Sequence, residues 1–166
     1  MSLRITSINK NNLKEAHEIY NYYIVNSYSN FEETKMNFKK FYKIYKNIID
    51  NKLPYLVALY DDRVVGMAYL NKFREKSGYR FAFENTIYIH NDFINKGIGS
   101  KLLKKLIAVS KKNKNIKKIV AVITDVDSKG SLKIHRNIGF KKIGILKKIG
   151  FKNGRWLDSI FMQKNL

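Results

Sequence analysis

Residues 84–107 read Glu84-Asn85-Thr86-Ile87-Tyr88-Ile89-His90-Asn91-Asp92-Phe93-Ile94-Asn95-Lys96-Gly97-Ile98-Gly99-Ser100-Lys101-Leu102-Leu103-Lys104-Lys105-Leu106-Ile107. A β-rich run that begins near Arg80 and ends at Ile89 passes through a short loop into a helix. That helix carries Ile98, Leu102, Leu103, Leu106 and Ile107 on one face and Lys101, Lys104 and Lys105 on the other. Between them stands Gly97-Ile98-Gly99. Glycines there let backbone amides approach a ligand unobstructed, and the helix start adds unpaired N–H donors at the positive end of its dipole. A pyrophosphate suits such a cradle. No Gly-Lys-Ser/Thr follows, so it is not a Walker loop. It also follows the fourth predicted strand, which is the wrong position for a dinucleotide-binding fingerprint.

Working outward from this segment, Leu3 to Ile8 alternates as a strand, and Asn11-Asn12 offers a cap for a helix presenting Leu13, Ala16, Tyr20, Tyr23 and Ile24. A second helix repeats Phe38, Phe41, Tyr42, Tyr45, Ile48 and Ile49 at three- and four-residue steps, a core-facing stripe. Tyr55 to Tyr60 and Val64 to Leu70 are strands joined by a tight Asp61-Asp62-Arg63 hairpin. Beyond the central helix come a buried-type strand at Lys118 to Thr124 and a short helix at Ser131 to Ile138 closed by Gly139. Two last strands follow at Phe140 to Ile149 and Trp156 to Gln163. The pattern is α/β (α+β), with about seven strands and about four helices in a single domain over residues 1–166, and no repeat or linker divides it.

Composition narrows the chemistry. The chain has no cysteine, and His17, His90 and His135 lack the companions of a metal site, so no metal is expected and catalysis falls to carboxylate, imidazole, hydroxyl or backbone groups. The charge of +20 comes from 33 Lys plus Arg against 13 Asp plus Glu, and would attract any polyanion. The basic residues are spread along the whole chain without forming a stripe, which argues against a dedicated nucleic-acid binder. No apolar run approaches a membrane span, and Met1-Ser2-Leu3-Arg4-Ile5 lacks a signal-peptide core, so a cytoplasmic chain with no membrane partner is expected.

The segment Ile94-Asn95-Lys96-Gly97-Ile98-Gly99 resembles the pyrophosphate loop of the GNAT acetyltransferase superfamily, Gln/Arg-x-x-Gly-x-Gly/Ala, with Ile94 replacing the leading residue and Asn95 a frequent glycine. Further segments are similar to its phosphinothricin and methionine-sulfoximine acetyltransferase branch. They include Tyr20-Asn21-Tyr22-Tyr23-Ile24, Pro54-Tyr55-Leu56-Val57-Ala58, Gly66-Met67-Ala68-Tyr69, Glu84-Asn85-Thr86-Ile87-Tyr88-Ile89, His135-Arg136-Asn137-Ile138-Gly139-Phe140 and Gly150-Phe151-Lys152-Asn153-Gly154-Arg155-Trp156-Leu157-Asp158.

This resemblance implies a mixed, mostly antiparallel sheet whose middle strands splay to admit acetyl-CoA, used as cosubstrate. It implies transfer of acetyl by direct attack to the amine of a small, amino-acid-like molecule. Glu84 is the implied base, with burial among apolar neighbours raising its pKa, and His135 takes the place of a residue that protonates the departing sulfur. Cofactor contacts are implied at Ile87, Tyr88 and Ile89, where a strand bulge would present an oxyanion N–H, at Asn95, Lys96, Gly97, Ile98, Gly99 and Ser100, and at Ser128. Substrate-side residues are implied at Lys76, Tyr79, Arg80, Asn85 and Thr86, with Arg80 the favoured anion holder, and Tyr28 to Phe31 and Trp156 shape the acceptor pocket. A homodimer is compatible with the branch. A peptide or protein N-terminus as acceptor stays open, as does a non-enzymatic basic module binding nucleic acid.

Overall fold

A computed structural model describes residues 2–126 and 128–166. Strand β1 (Leu3–Ser7) leads into helix α1 (Leu13–Asn26) and helix α2 (Phe38–Asp50). Strands β2 (Tyr55–Tyr60), β3 (Arg63–Lys72) and β4 (Ala82–Ile89) follow, then α3 (Ile98–Ser110), β5 (Lys118–Thr124), α4 (Lys129–Asn137), β6 (Lys141–Lys152) and β7 (Arg155–Asn165). The seven strands form one sheet in the order β1-β2-β3-β4-β5-β7-β6, antiparallel except for the parallel β4–β5 pair. Among the described residues no helix is long and apolar enough to cross a membrane.

The expected element order holds, and its departures have local causes. Asn12 stands at the N-cap position of α1 without a side-chain cap bond to that helix, and the side-chain cap belongs to Asn9, ahead of a short preceding turn. The Asn9 side chain accepts from Asn11 N–H while Asn12 Oδ1 accepts from Asn9 N–H, closing a reciprocal cap one short turn ahead of α1. In α2 Phe41 and Ile48 are fully buried and Tyr42, Ile44 and Tyr45 pack half-buried against the core, while Phe38 and Ile49 flank that stripe and stay exposed. The β2–β3 hairpin turns on Asp61 and Asp62, with φ of 48° and 62°, the left-handed pair a two-residue turn requires. Arg80 caps a short turn at Ser77–Tyr79 with a helical φ of −55°, so β4 begins only at Ala82.

Side-chain parity along β4 decides what lies on which face. Tyr88 stacks on Tyr23 and meets Tyr20, both from α1. Its neighbour Ile89 points the other way, towards α3. A Cβ on Gly66 would stand 2.8 Å from Ile89 Cδ1 and 3.0 Å from Leu102 Cδ1, so this glycine lets α3 settle closely on the sheet. Helices α1 and α3 therefore cover opposite faces, with Glu84, Thr86 and Tyr88 on the α1 side and Asn85, Ile87 and Ile89 on the α3 side.

One contact outside this frame was not foreseen. Lys152, at the end of β6, is completely buried, and its ammonium donates to the carbonyls of Ile24 (2.6 Å), Ser27 (2.9 Å) and Asn30 (2.6 Å). It ties the C-terminal hairpin to the end of α1, where helix carbonyls lack partners of their own. Burial pulls its pKa below that of a free lysine.

Candidate active site

Strands β4 and β5 pair only at Ala82↔Lys118, Phe83↔Ile119 and Glu84↔Val120. Past that point β5 stays with β7 through Thr124, while β4 keeps to β3 through Ile89, and the two strands part. No register shift interrupts β3–β4 from Lys72↔Phe83 to Gly66↔Ile89, so the bulge expected at Ile87 to Ile89 is absent. The sheet opens because β5 is held along its whole length by β7. His90 N–H donates to Val65 C=O and Ala82 C=O accepts from Phe73 N–H, so even-numbered β4 residues direct their backbone to β3 and odd-numbered ones direct it to the opening. Ile89 uses its carbonyl on the Tyr23 hydroxyl, which donates at 2.7 Å and closes the far end of the gap. Ile87 presents its N–H and C=O to the gap, past the last β4–β5 pair, with no strand paired to it there among the described residues.

The glycine loop meets this gap from the α3 side. Gly97, at φ 75° with open space where a Cβ would stand, is the N-cap of α3, and Asn95 also sits at a left-handed φ of 64°. The first helical bond runs from Lys101 N–H to Gly97 C=O at 3.2 Å. The amides of Ile98, Gly99 and Ser100 are therefore free to meet an anion. Lys96 lies over the Phe93 ring at 4.6 Å, and Ile94 is solvent-exposed. Across the gap, Ser128 is buried at the N-cap of α4 without making a side-chain cap bond.

Glu84 stands on the opposite, α1-side face at the last β4–β5 pair. Burial raises its carboxyl pKa, and the charge of Arg74 offsets part of the rise. A cleft of about 400 Å³ opens beside it, lined by Phe73, Arg74, Val120, Leu146, Phe161 and Gln163 among others, and Val120 is the cross-strand partner of Glu84. Arg74, which the sequence did not single out, is thus the cation nearest in effect to the carboxylate. Arg80 lies in the exposed turn, over the Phe81 ring at 4.6 Å and donating to Ser77 C=O at 3.3 Å. Lys76 and Tyr79 share that turn and are also exposed. Neither Tyr28 to Phe31 nor Trp156 lines the cleft: Phe31 lies against Gly150, and the 58 % exposed Trp156 meets Phe151. Thr86 is on the Glu84 face and Asn85 is on the other.

His135 is 1 % exposed. Its Nδ1 lies 2.8 Å from the Ser131 carbonyl, and its Nε2 lies 3.0 Å from Asn85 Nδ2. Burial lowers its pKa. The ring is therefore neutral, with both nitrogens engaged. The α3–α4 side thus offers an anion cradle leading to an opening between strands, and the α1 side offers a carboxylate of raised basicity beside a mostly apolar cleft with Arg74 on its wall. Such a site can hold two ligands end to end through the sheet and take a proton from one of them.

A family model described as an acetyltransferase (GNAT) domain matches residues 5–161. The chain is 36 % identical over 148 residues to phosphinothricin N-acetyltransferase of Alcaligenes faecalis, covering 89 % of this chain and 75 % of that one. With L-methionine sulfoximine/L-methionine sulfone acetyltransferase of Salmonella typhimurium it shares 32 % identity over 113 residues, 68 % of this chain and 65 % of that one. A GNAT superfamily phosphinothricin acetyltransferase from Sinorhizobium meliloti, solved in complex with AcCoA, superimposes with a TM-score of 0.93 at 34 % identity, over 100 % of this chain and 89 % of that one.

Proposed function

The chain belongs to the GNAT acetyltransferase family, and from that premise we propose that it moves acetyl from acetyl-CoA to the amine of a small, amino-acid-like acceptor of the phosphinothricin or methionine sulfoximine type. The observation that carries the proposal is the division of the site by the sheet. A helix start with free amides lies on one face, a carboxylate beside an apolar cleft that holds Arg74 lies on the other, and the β4–β5 gap joins them.

Acetyl-CoA supplies an activated thioester. The amides of Ile98, Gly99 and Ser100 receive its diphosphate, with Asn95, Lys96 and Gly97 shaping the loop, and the Ser128 hydroxyl borders the arm from α4. In the gap, the unpaired Ile87 N–H would stabilise charge that builds on the thioester oxygen, while Tyr88 and Ile89 hold the strand. Glu84 takes a proton from the acceptor's ammonium, directly or through water. The free amine then attacks the acyl carbon as the carbon–sulfur bond breaks. A carboxylate made more basic by burial suits this task near neutral pH. Arg74 supplies the charge to hold the acceptor's carboxylate or phosphinate in the cleft, and Thr86 lies on the same face of β4 as Glu84.

An acceptor screen by thiol release tests the proposal. Turnover is expected with phosphinothricin, methionine sulfoximine or a free amino acid, and none with peptides bearing a free N-terminus. The reverse pattern contradicts it. In Arg74→Gln the acceptor KM is expected to rise about tenfold or more, since a charge-assisted bond contributes about 1.5–3 kcal/mol. The acidic limb of the pH profile should also move to higher pH, because the charge that partly offset the raised Glu84 pKa is gone.

The same proposal takes residues 1–166 as a single acetyltransferase domain and places it in the cytoplasm, where acetyl-CoA is available. A homodimer belongs to it as well. Edge strand β6 leaves Ile143, Leu146, Ile149 and Phe151 exposed, a surface suited to a second copy.

A further inference from the structure

Asn85 is 7 % exposed, and its Oδ1 is a buried side-chain polar atom without a hydrogen-bond partner among the described residues. A buried, unpaired amide oxygen costs stability, and the orientation of this amide is fixed by its neighbour. His135 Nδ1 faces the Ser131 carbonyl at 2.8 Å, an acceptor only, so Nδ1 carries the ring proton. Nε2 is then a bare lone pair, and at 3.0 Å only the NH2 half of Asn85 can satisfy it. The amide cannot turn to feed Oδ1 to the histidine without losing that bond. Asn85 is also the first β4 residue beyond the last β4–β5 pair, Glu84↔Val120, and its side chain lies on the face of α3 and α4. Oδ1 thus sits where the gap begins, on the side of the anion cradle and away from Glu84.

We infer that Asn85 is a cofactor-binding residue: His135 holds its carboxamide by the Nδ2 edge so that Oδ1 accepts a hydrogen bond from an amide N–H of the pantetheine arm, and His135 gives no proton to the departing sulfur. The inference rests on the acetyl-CoA proposal above. The class of donor follows from the place. The atom is closed to bulk solvent, so its partner arrives on a ligand threaded between the strands, and the arm that enters from the α3 side carries secondary amides. The acceptor amine approaches from the face of Glu84. Protons balance without an acid from the protein: the amine gives one to Glu84 before attack, and the second, lost from nitrogen as the new C–N bond forms and the C–S bond breaks, ends on sulfur.

Calorimetric titration of the wild type, Asn85→Leu and Asn85→Ser with acetyl-CoA and with adenosine 3′,5′-bisphosphate, which has no pantetheine arm, tests this. Loss of one hydrogen bond should weaken acetyl-CoA about 3- to 10-fold in both variants and leave the bisphosphate unchanged. Unchanged acetyl-CoA affinity, or equal weakening of both ligands, overturns the inference. No acetyl-CoA binding by the wild type would instead overturn the functional proposal beneath it. A second readout needs no variant. In wild-type protein labelled with nitrogen-15, the Asn85 side-chain amide signals should shift with acetyl-CoA and not with the bisphosphate, and His135 should stay neutral and protonated at Nδ1 in both. An imidazolium at neutral pH, or unmoved Asn85 signals, contradicts the assignment.

Discussion

Glu84→Gln is expected to lower kcat for acetyl transfer by about 10²- to 10⁴-fold, the range supplied by a positioned proton acceptor, with acetyl-CoA affinity retained. Stability should move the opposite way. Burial raises the folded-state pKa of Glu84, so the folded chain keeps this proton at a pH where the unfolded chain has released it. The stability tied to that proton is present below the unfolded pKa and is lost as pH rises through the folded one. Glutamine carries no charge to bury, so at neutral pH the variant should melt at the same or a higher temperature. In the wild type kcat/KM should climb as Glu84 loses its proton, with the acidic limb above the ordinary glutamate range. Stopped assays from pH 5 to 9 and thermal melts of both proteins check this. A Gln variant of full activity would remove Glu84 from the mechanism.

Lys152→Met carries the largest expected loss of stability, about 3 kcal/mol. The methionine fills much of the volume yet leaves the carbonyls of Ile24, Ser27 and Asn30 buried without a donor, each at a cost of about 1 kcal/mol or more. Those carbonyls end α1 and begin the loop that places Phe31 against Gly150, so the C-terminal hairpin and α1 should loosen together. Urea melts report the loss, and Lys152→Arg, whose fork cannot reach three convergent carbonyls as the ammonium does, should recover only part of it. A melt unchanged in the methionine variant would show that these bonds contribute nothing net.

The order of elements was open to reading because each kind has its own period: Leu102, Leu103 and Leu106 recur at helical steps, while Lys118 to Thr124 is a short apolar run of strand length. The glycine loop was legible for the same reason, lying between two segments whose periods differ. What escaped depends on contacts far apart in sequence. Asn85 and His135 are 50 positions apart, and neither carries a local sign of the other. Lys152 sits in a polar hairpin where a lysine reads as solvated, and only the arrival of the α1 carbonyls makes it a buried donor. Arg74 and Arg80 are equivalent as letters, and both are exposed and lie over a neighbouring phenylalanine ring; only Arg74 also borders the cleft, while Arg80 closes the turn at Ser77–Tyr79. The alternation of β4 already separates Glu84 from Asn85, and applied strictly it assigns Asn85 to the face away from the base.

A calorimetric titration of the wild-type chain with acetyl-CoA, repeated at high salt, addresses the central claim most directly. A saturable signal at one site per chain, with a dissociation constant in the micromolar range that weakens with salt, is the predicted result for a diphosphate held by helix-start amides in a strongly positive field. No heat and no thermal shift at millimolar acetyl-CoA would mean that the cradle at Gly97 and the gap beside Ile87 do not receive this ligand.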